Sequence, residues 1–372
     1  MRNQELETPT RPDAETGRLA DELRRRIQAR GPMPFPAFMA SALYHPKLGY
    51  YERPLGQIGK RGDFMTSVSV GPMFGELLAF QFARWLGEHD GASPLHIVET
   101  GAHDGQLAHD ILESLEERQP ALFQRLEYHI VEPSAGRREA QQVRLSRFRN
   151  VRWHASLWPL HRQVRGIIFS NELLDAMPVH PFAWSAKKRR WEEMAVTLQE
   201  GRFVWTRLLR SHFAPPRLPA ALLDVLPEGY VLELGHAAKN WWREAAGALA
   251  SGRLLTIDYG GLIEELLSPG RTTGTLRTYA GHRIGADVLA NPGEQDITAH
   301  VNFTEIIKAG EAAGLTTEAF KTQSQFLTEI ALELWKENNG LAQRQARQFQ
   351  TLTHPEHLGR PFKVLVQARK GN

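Results

Sequence analysis

The sequence predicts an α/β fold in which a doubly wound parallel sheet is interrupted by an antiparallel insertion. Two observations lead to this prediction. From Pro94 onward, short apolar segments alternate with amphipathic helical segments, which is typical of a parallel sheet covered by helices. Between residues 181 and 209 the period becomes two around a basic tip, which indicates antiparallel hairpins.

The composition is that of a globular protein with a large core. The chain has 372 residues, of which 42% are hydrophobic and 23% charged. No apolar run approaches the roughly 20 residues of a membrane helix. The absence of cysteine excludes disulfides, thiolate metal sites and cysteine nucleophiles. Because the first residues lack the apolar core of a signal peptide, we expect residues 1–17 to form a disordered tail and the protein to be cytoplasmic.

Basic residues cluster in three places, although the net charge is only +3. The clusters span residues 23–30, 137–149 and 185–191. They are interpreted either as solvated faces of helices and a hairpin tip, or as a docking surface for an acidic partner. Since no nucleic-acid-binding module accompanies them, we expect no nucleic-acid partner.

Residues 18–93 are expected to form an N-terminal helical segment. A helix over 17–31 ends at Gly31, and residues 34–51 are predicted to form a second helix and a turn. A glycine-rich loop then leads to a third helix, in which apolar residues recur at helical spacing from Pro72.

The Rossmann-like core is assigned to residues 94–180 and 228–372, with residues 181–227 as the inserted β-hairpin subdomain. Strands are predicted within 95–99, 126–134, 151–156, 166–178 and 252–261, followed by two last strands within 315–327 and 362–370. Helices are predicted over 105–117 and 135–148. Residues 274–303 are rich in glycine and poor in periodicity, so we expect a lid or binding loop without regular structure.

The turn "VETGAHDGQL" (98–107) joins the first strand to a helix, where backbone N–H groups face a ligand at the sheet edge. It carries Gly101 and Gly105, with Glu99 ending the strand. An acid at this place suits a cofactor that bears positive charge, as S-adenosylmethionine does. Glu132 ends the second strand, where an acid can bind ribose hydroxyls. Each acid taken alone can equally be a helix-capping or solvated residue.

Two further segments are candidates for the same crevice. "SNELLDAMPVH" places Asn171, Glu172 and Asp175 at the end of the fourth strand, where they either project into the crevice or cap the following helix. "KRGDFMTS" (60–67) combines a Gly-Asp turn with hydroxyl side chains.

Several other chemistries are not supported by the motifs. The histidines His96, His103, His109 and His129 are scattered, without a H-E-x-x-H pattern, so no metal site is predicted. There is no G-x-S-x-G elbow and no phosphate-binding P-loop. A nicotinamide dehydrogenase is disfavoured because the third glycine of its fingerprint would fall on Gln106.

Taken in order, a set of segments resembles the MidA-type class I S-adenosylmethionine-dependent methyltransferases. This family includes the mitochondrial protein-arginine methyltransferase needed for assembling respiratory complex I. The resemblance covers nearly the whole chain after the tail and rests on "FMASALYHPKLGYY", "GDFMTS", "MFGELLA", "NELLDAMPVH", "IDYG", "LRTYAGH", "DITAHVNF" and "FKVLVQ".

The resemblance implies S-adenosyl-L-methionine as methyl donor, a seven-stranded Rossmann-like core and an N-terminal segment covering the cofactor. It also implies a protein substrate, by analogy a respiratory-complex subunit. The family motifs fall on three groups of residues: Glu99, Gly101, His103 and Gly105; Gly62, Asp63, Phe64, Thr66 and Ser67; Asn171, Glu172, Asp175, Ala176 and Pro178.

For arginine as acceptor, the implied roles follow from the chemistry of its guanidinium. Glu172 and Asp175 would orient it and accept the departing proton, with Asp63 and Asp258 as reserves. Asn171 would hold the acceptor or the backbone of its loop.

The chain departs from the family at His103, where relatives have glycine. Histidine tolerates positive φ better than most residues, so the turn can survive. A larger side chain there can instead press into the methionine site. The alternative function is therefore an assembly or interaction protein that keeps the fold without useful catalysis.

Overall fold

A computed structural model describes residues 17–53, 66–89, 94–268, 270–280, 283–285, 287–337 and 343–371. Residues 1–16 of the predicted tail and the Gly62–Asp63–Phe64 part of the glycine-rich loop lie outside these ranges. None of the described helices combines the length and apolar composition needed to cross a membrane.

The described helices are α1 (Arg18–Arg30), α2 (Phe35–Tyr44), α3 (Met73–Leu86), α4 (Gln106–Arg118), α5 (Pro120–Phe123), α6 (Ala135–Arg144), α7 (Ala220–Leu223), α8 (His236–Ala248), α9 (Ile263–Leu266), α10 (Phe303–Ala312), α11 (Gln323–Glu337) and α12 (Gln343–Thr353). The described strands are β1 (Met33–Pro34), β2 (Leu95–Thr100), β3 (Leu126–Val131), β4 (Val151–His154), β5 (Val164–Asn171), β6 (His180–Ser185), β7 (Arg190–Gln199), β8 (Arg202–Arg207), β9 (Val231–Leu234), β10 (Leu249–Gly261), β11 (Arg277–Ala280), β12 (Arg283–Gly285), β13 (Asp296–Thr298), β14 (Val301–Asn302), β15 (Thr316–Thr322) and β16 (Phe362–Arg369).

The main sheet has the strand order β4-β3-β2-β5-β10-β16-β15, with the short β14 paired to the end of β10. From β4 to β10 the neighbouring strands are parallel, and β16 runs antiparallel to both β10 and β15. The chain runs from β2 outward to β4 and then returns to β5 on the other side of β2. This reversal makes the carboxyl ends of β2 and β5 the switch point, where such sheets bind ligands.

Helices cover both faces of this sheet, which confirms the predicted doubly wound α/β fold. On one face α3 and α4 pack over β2, β3 and β5 around side chains such as Phe82, Ile97 and Phe169. On the other face α8 and α10 enclose a second core that contains Trp242 and Phe303. Both cores are formed by the apolar stripes seen in the sequence, because each helix buries one side only.

The antiparallel insertion forms a separate sheet. Its strand order is β1-β7-β6-β9, and β8 also pairs with β7. The N-terminal segment joins it, since Met33 pairs with Val196 of β7. The α1 and α2 side chains Leu23 and Phe38 share a third core with Val196 and with Ile297 of β13.

The expectation of an irregular segment at 274–303 is wrong in part. β11 pairs with both β12 and β13 in a small antiparallel sheet, and β14 extends β10. These strands are two to four residues long, too short for their alternation to stand out from the glycine-rich sequence around them.

Candidate functional site

A cavity of about 990 Å³ opens at the carboxyl ends of β2, β3 and β5. This volume lies at the upper end of the range of roughly 300–1,000 Å³ for small-molecule sites. Of the site residues predicted from the sequence, the cavity wall contains Thr66, Glu99, Gly101, His103, Glu132, Asn171 and Glu172. Ser67, Gly105 and Asp175 do not line it, and Asp63 lies outside the described residues.

The turn after β2 winds through three residues in the left-handed region. Gly101 has φ 79°, His103 has φ 49° and Gly105 has φ 81°. A Cβ on Gly101 would lie 3.0 Å from the Leu173 Cδ1 atom, so a larger residue there would crowd the neighbouring loop. Gly105 directly precedes α4, which explains its role although it does not line the cavity.

His103 is held in the left-handed region by contacts with its neighbours. The Gln141 side chain donates a hydrogen bond to the His103 carbonyl (2.9 Å), and His103 Nδ1 lies 3.6 Å from the Asp104 carboxylate. Asp104 is in turn paired with Arg144 at 2.7 Å. Burial alone would raise the pKa of Asp104, but the contacts with His103 and Arg144 outweigh it and lower that pKa.

Two buried acids face the cavity from adjacent strand ends. Glu99 accepts a hydrogen bond from the Tyr128 hydroxyl (2.6 Å), and burial raises its pKa to about 7. Glu132 accepts from the backbone N–H of Ser134 (2.9 Å) and from Gln141 (3.3 Å), and burial raises its pKa as well. Each carboxyl would be stabilised in its charged form by a ligand that brings positive charge or hydroxyl donors.

Four residues of the cavity wall carry a buried polar side-chain atom without a hydrogen-bond partner. The atoms are the hydroxyl oxygen of Thr100, Nε2 of His103, the amide oxygen of Asn171 and the indole Nε1 of Trp241. Because buried polar atoms are nearly always paired in folded proteins, these atoms indicate a ligand with its own donors and acceptors.

On the β5 side, Asn171 and Glu172 form one constellation. The Asn171 side-chain amide donates to the Glu172 carboxyl (3.0 Å), and burial raises the pKa of Glu172 to about 8. Glu172 has φ 52°, held by the hydrogen bond from its N–H to the Ile257 carbonyl (2.9 Å). A non-glycine residue held in this region is a strained position of the kind that clusters at functional sites.

Asp258 fixes the loop that follows. Its Oδ2 atom accepts backbone N–H groups from Leu173 (3.1 Å), Leu174 (2.7 Å) and Asp175 (3.4 Å). Asp258 is fully buried and Asp175 nearly so, and neither lines the cavity. Burial and the mutual repulsion of these carboxyls raise the pKa of Asp175.

The 66–69 turn divides its hydroxyl groups between two places. Thr66 and Ser69 bond to each other's backbone at 3.1 Å and both line the cavity. Ser67 instead donates to the Gln323 side chain (3.1 Å) in the core, so its contribution is to anchor the turn on α11.

Sequence reasoning missed the tyrosines that close the cavity. Tyr44 donates to the Ala176 carbonyl (2.8 Å) and stacks on Tyr51 with ring centroids 5.5 Å apart. Tyr51 donates to Asp296 at 2.9 Å, which brings the 274–303 segment to the site. The only available signal was that Tyr44 and Tyr51 lie in a segment quoted for its family resemblance.

A family model described as an S-adenosyl-L-methionine-dependent methyltransferase matches residues 77–321, which is more than half of the chain. Among solved structures, a Burkholderia thailandensis protein bound to S-adenosyl-homocysteine is 32% identical, covering 97% of this chain and 95% of that chain with a TM-score of 0.82. A native structure of a protein from the same organism is 33% identical with a TM-score of 0.79.

Curated relatives are more distant but cover the chain almost completely. The mitochondrial protein arginine methyltransferase NDUFAF7 homolog of Drosophila melanogaster is 26% identical over 400 residues, covering 97% of this chain and 87% of that protein. The human mitochondrial protein arginine methyltransferase NDUFAF7 is 26% identical over 408 residues, covering 98% and 85%.

Proposed function

The chain belongs to this family of S-adenosyl-L-methionine-dependent methyltransferases, and we propose that its acceptor is an arginine side chain of a protein. S-adenosyl-L-methionine is the cofactor. The arginine, the protein substrate and the roles of individual residues are our proposals, and the printed names of the animal relatives support the first two.

The cavity residues fit the cofactor. We assign the acids Glu99 and Glu132 to its charged or hydroxyl-bearing groups, and the unpartnered Thr100 and His103 atoms to further polar contacts. Gly101 leaves the backbone open beside them, and Thr66 borders the same space. When bound, the cofactor supplies a methyl group on a positively charged sulfur.

The single observation that carries the arginine proposal is Glu172 in the cavity wall, close to two further buried carboxyls, Asp175 and Asp258. Their repulsion and burial keep these carboxyls from ionising freely. A guanidinium is always charged and offers a planar fork of donors, so it would favour the ionised carboxylates. Glu172 would then hold one edge of the fork and receive a proton, while Asn171 fixes the Glu172 carboxyl.

We propose different roles for Asp175 and for the reserve candidate Asp258. Since neither lines the cavity, we propose that Asp175 acts through the electrostatic potential and Asp258 through the backbone of the loop. No part is given to Asp63, which lies outside the described residues.

We further propose that the reaction takes place in a bacterial cytoplasm, on a protein rather than a nucleic acid. The crystallised relatives come from a bacterium, whereas the animal relatives are named as mitochondrial. A respiratory-complex subunit is the substrate class suggested by the family, and proteomics of methylarginine in cells with and without the gene would identify it.

The direct test of the acceptor uses cofactor with an isotopically labelled methyl group and mass spectrometry of arginine-containing protein fractions. We expect Glu172→Gln to lower kcat/KM by about 10²–10⁴-fold, the usual contribution of a positioned acid–base group. For the parent enzyme, kcat/KM should rise with pH through about 8 as Glu172 deprotonates, and this dependence should vanish in the variant.

Glu329→Gln is the matched control, because Glu329 forms an exposed pair with Lys321 and neither residue lines the cavity. Unchanged methylation in folded Glu172→Gln, or label on residues other than arginine, would contradict the proposal.

One observation favours a second candidate, an assembly protein with little turnover: His103 lines the cavity at the position where the family motif that the sequence resembles has glycine. This candidate predicts cofactor binding without methyl transfer to any arginine, so the same labelling experiment separates the two.

A further inference from the structure

His96, Glu127 and His129 form a cluster on the adjacent strands β2 and β3, apart from the residues that line the cofactor cavity. His96 of β2 is directly opposite Glu127 of β3, and His129 lies two residues further along β3 on the same face. One potential ligand atom from each of these three residues lies within 4.8 Å of the others. None of the three lines the cavity described above.

Nε2 of His129 is buried and has no hydrogen-bond partner. The His129 side chain is only 7% exposed. The nearest charged group is the Glu127 carboxylate, with Oε2 at 3.6 Å from Nε2, which is too long for a hydrogen bond. A buried nitrogen without a hydrogen-bond partner, next to a carboxylate, is unusual in the core of a folded protein.

The other ring nitrogen of His129 is hydrogen-bonded to a second histidine. Nδ1 lies 2.9 Å from Nε2 of His154 on β4, so one proton is shared between the two rings. In the tautomer with the shared proton on Nδ1, the Nε2 lone pair of His129 is available to coordinate a cation beside the Glu127 carboxylate. A metal-binding histidine is oriented in this way by its second nitrogen.

We propose that Glu127, His129 and His96 bind one zinc ion. Zinc bonds to nitrogen and oxygen are about 2.0–2.2 Å long, so two tetrahedral ligands are roughly 3.4 Å apart. The observed 3.6 Å between Nε2 of His129 and Oε2 of Glu127 is close to that separation. Imidazole and carboxylate are ligands that zinc accepts, and water completes the shell.

Zinc coordination by His96 would break a hydrogen bond that the present structure contains. Its Nδ1 now accepts a hydrogen bond from the backbone N–H of Arg165 (3.1 Å). Coordination through Nε2 places the ring proton on Nδ1, so this hydrogen bond must break. Zinc binding should therefore change the nitrogen resonances of His96 and speed amide exchange at Arg165.

The ion would connect two strands that carry cofactor acids. Glu99 lies three residues after His96 and Glu132 three residues after His129, or about 10 Å along each strand. A metal at their beginning is remote from the chemistry and would stabilise the sheet. It is therefore a structural site, independent of the arginine proposal.

The test titrates zinc chloride into full-length, tag-free protein that has been stripped of metal, with a chromophoric chelator as competitor. We expect one zinc per chain and a higher melting temperature with zinc, because a ligand that binds only the folded state stabilises it. Glu127→Gln should weaken binding by at least about tenfold, the smallest loss usual for such a change. His129→Gln should abolish binding, and His212→Ala, at an exposed histidine of a distant loop, should leave it unchanged.

Absence of binding at millimolar zinc would overturn the proposal, as would equal affinity in the parent and Glu127→Gln. Should His129→Gln fail to fold, Glu127→Gln decides the matter, because Glu127 is 45% exposed and its substitution leaves the core intact.

Discussion

His103 is the residue at which this chain differs from the motif of its family, and the structure explains how the turn accommodates it. Its φ of 49° lies in the left-handed region, and Gln141 and Asp104 hold it there. The sequence predicted this tolerance from the known behaviour of histidine. It could not predict that the ring lines the cavity, since that depends on the side-chain torsions and on Asp104 being held by Arg144.

A pair of substitutions at His103 separates the backbone from the ring. His103→Gly removes the ring and accepts positive φ without strain, whereas His103→Ala removes the ring and keeps the strain. We expect His103→Ala to be less stable than His103→Gly by about 1 kcal/mol in chemical denaturation. Both should lose the same amount of cofactor affinity, if the Nε2 atom of His103 contacts the ligand. Equal stability of the two variants would show that this turn is not held in the left-handed region.

At the scale of elements, the loop between β5 and β6 depends on a residue of another strand. Asp258 at the end of β10 holds three consecutive backbone N–H groups of that loop. The sequence predicted strands β2 to β5 and β10 because short apolar segments alternate with helical ones in this part of the chain. The hydrogen bonds between Asp258 and the loop could not be predicted from the sequence, because 84 residues separate Asp258 from Leu174.

Asp258→Asn tests this positioning role. The amide keeps one oxygen but places an NH₂ group against backbone donors, so we expect the loop to shift and kcat to fall by about tenfold or more. The dissociation constant of the cofactor should change little, because Glu99 and Glu132 lie on other strands. Asp287→Asn is the control, since Asp287 caps the Leu289 N–H in a similar way away from the cavity. An unchanged kcat together with weaker binding of the cofactor would contradict the role assigned to Asp258.

At the scale of the whole molecule, the site is assembled from segments far apart in sequence. The N-terminal helices, the inserted sheet and the 276–299 segment share one hydrophobic core. Through Tyr44, Tyr51 and Asp296 that core borders the cavity. Local patterns predicted each segment and the doubly wound core. Their mutual packing, like the cluster around His129, arises from strand register and tertiary contacts that no local pattern contains.

The assignment of the cavity to the cofactor is tested by a calorimetric titration of the protein with S-adenosyl-homocysteine, repeated with Glu132→Ala. We predict one site per chain with a dissociation constant on the order of micromolar, or about −8 kcal/mol. Loss of the Glu132 carboxylate should weaken binding by at least about tenfold, because the buried hydroxyl groups of the ligand would lose their hydrogen-bond acceptor. No heat at millimolar ligand, or equal affinity in the two proteins, would contradict the assignment of this cavity to the cofactor.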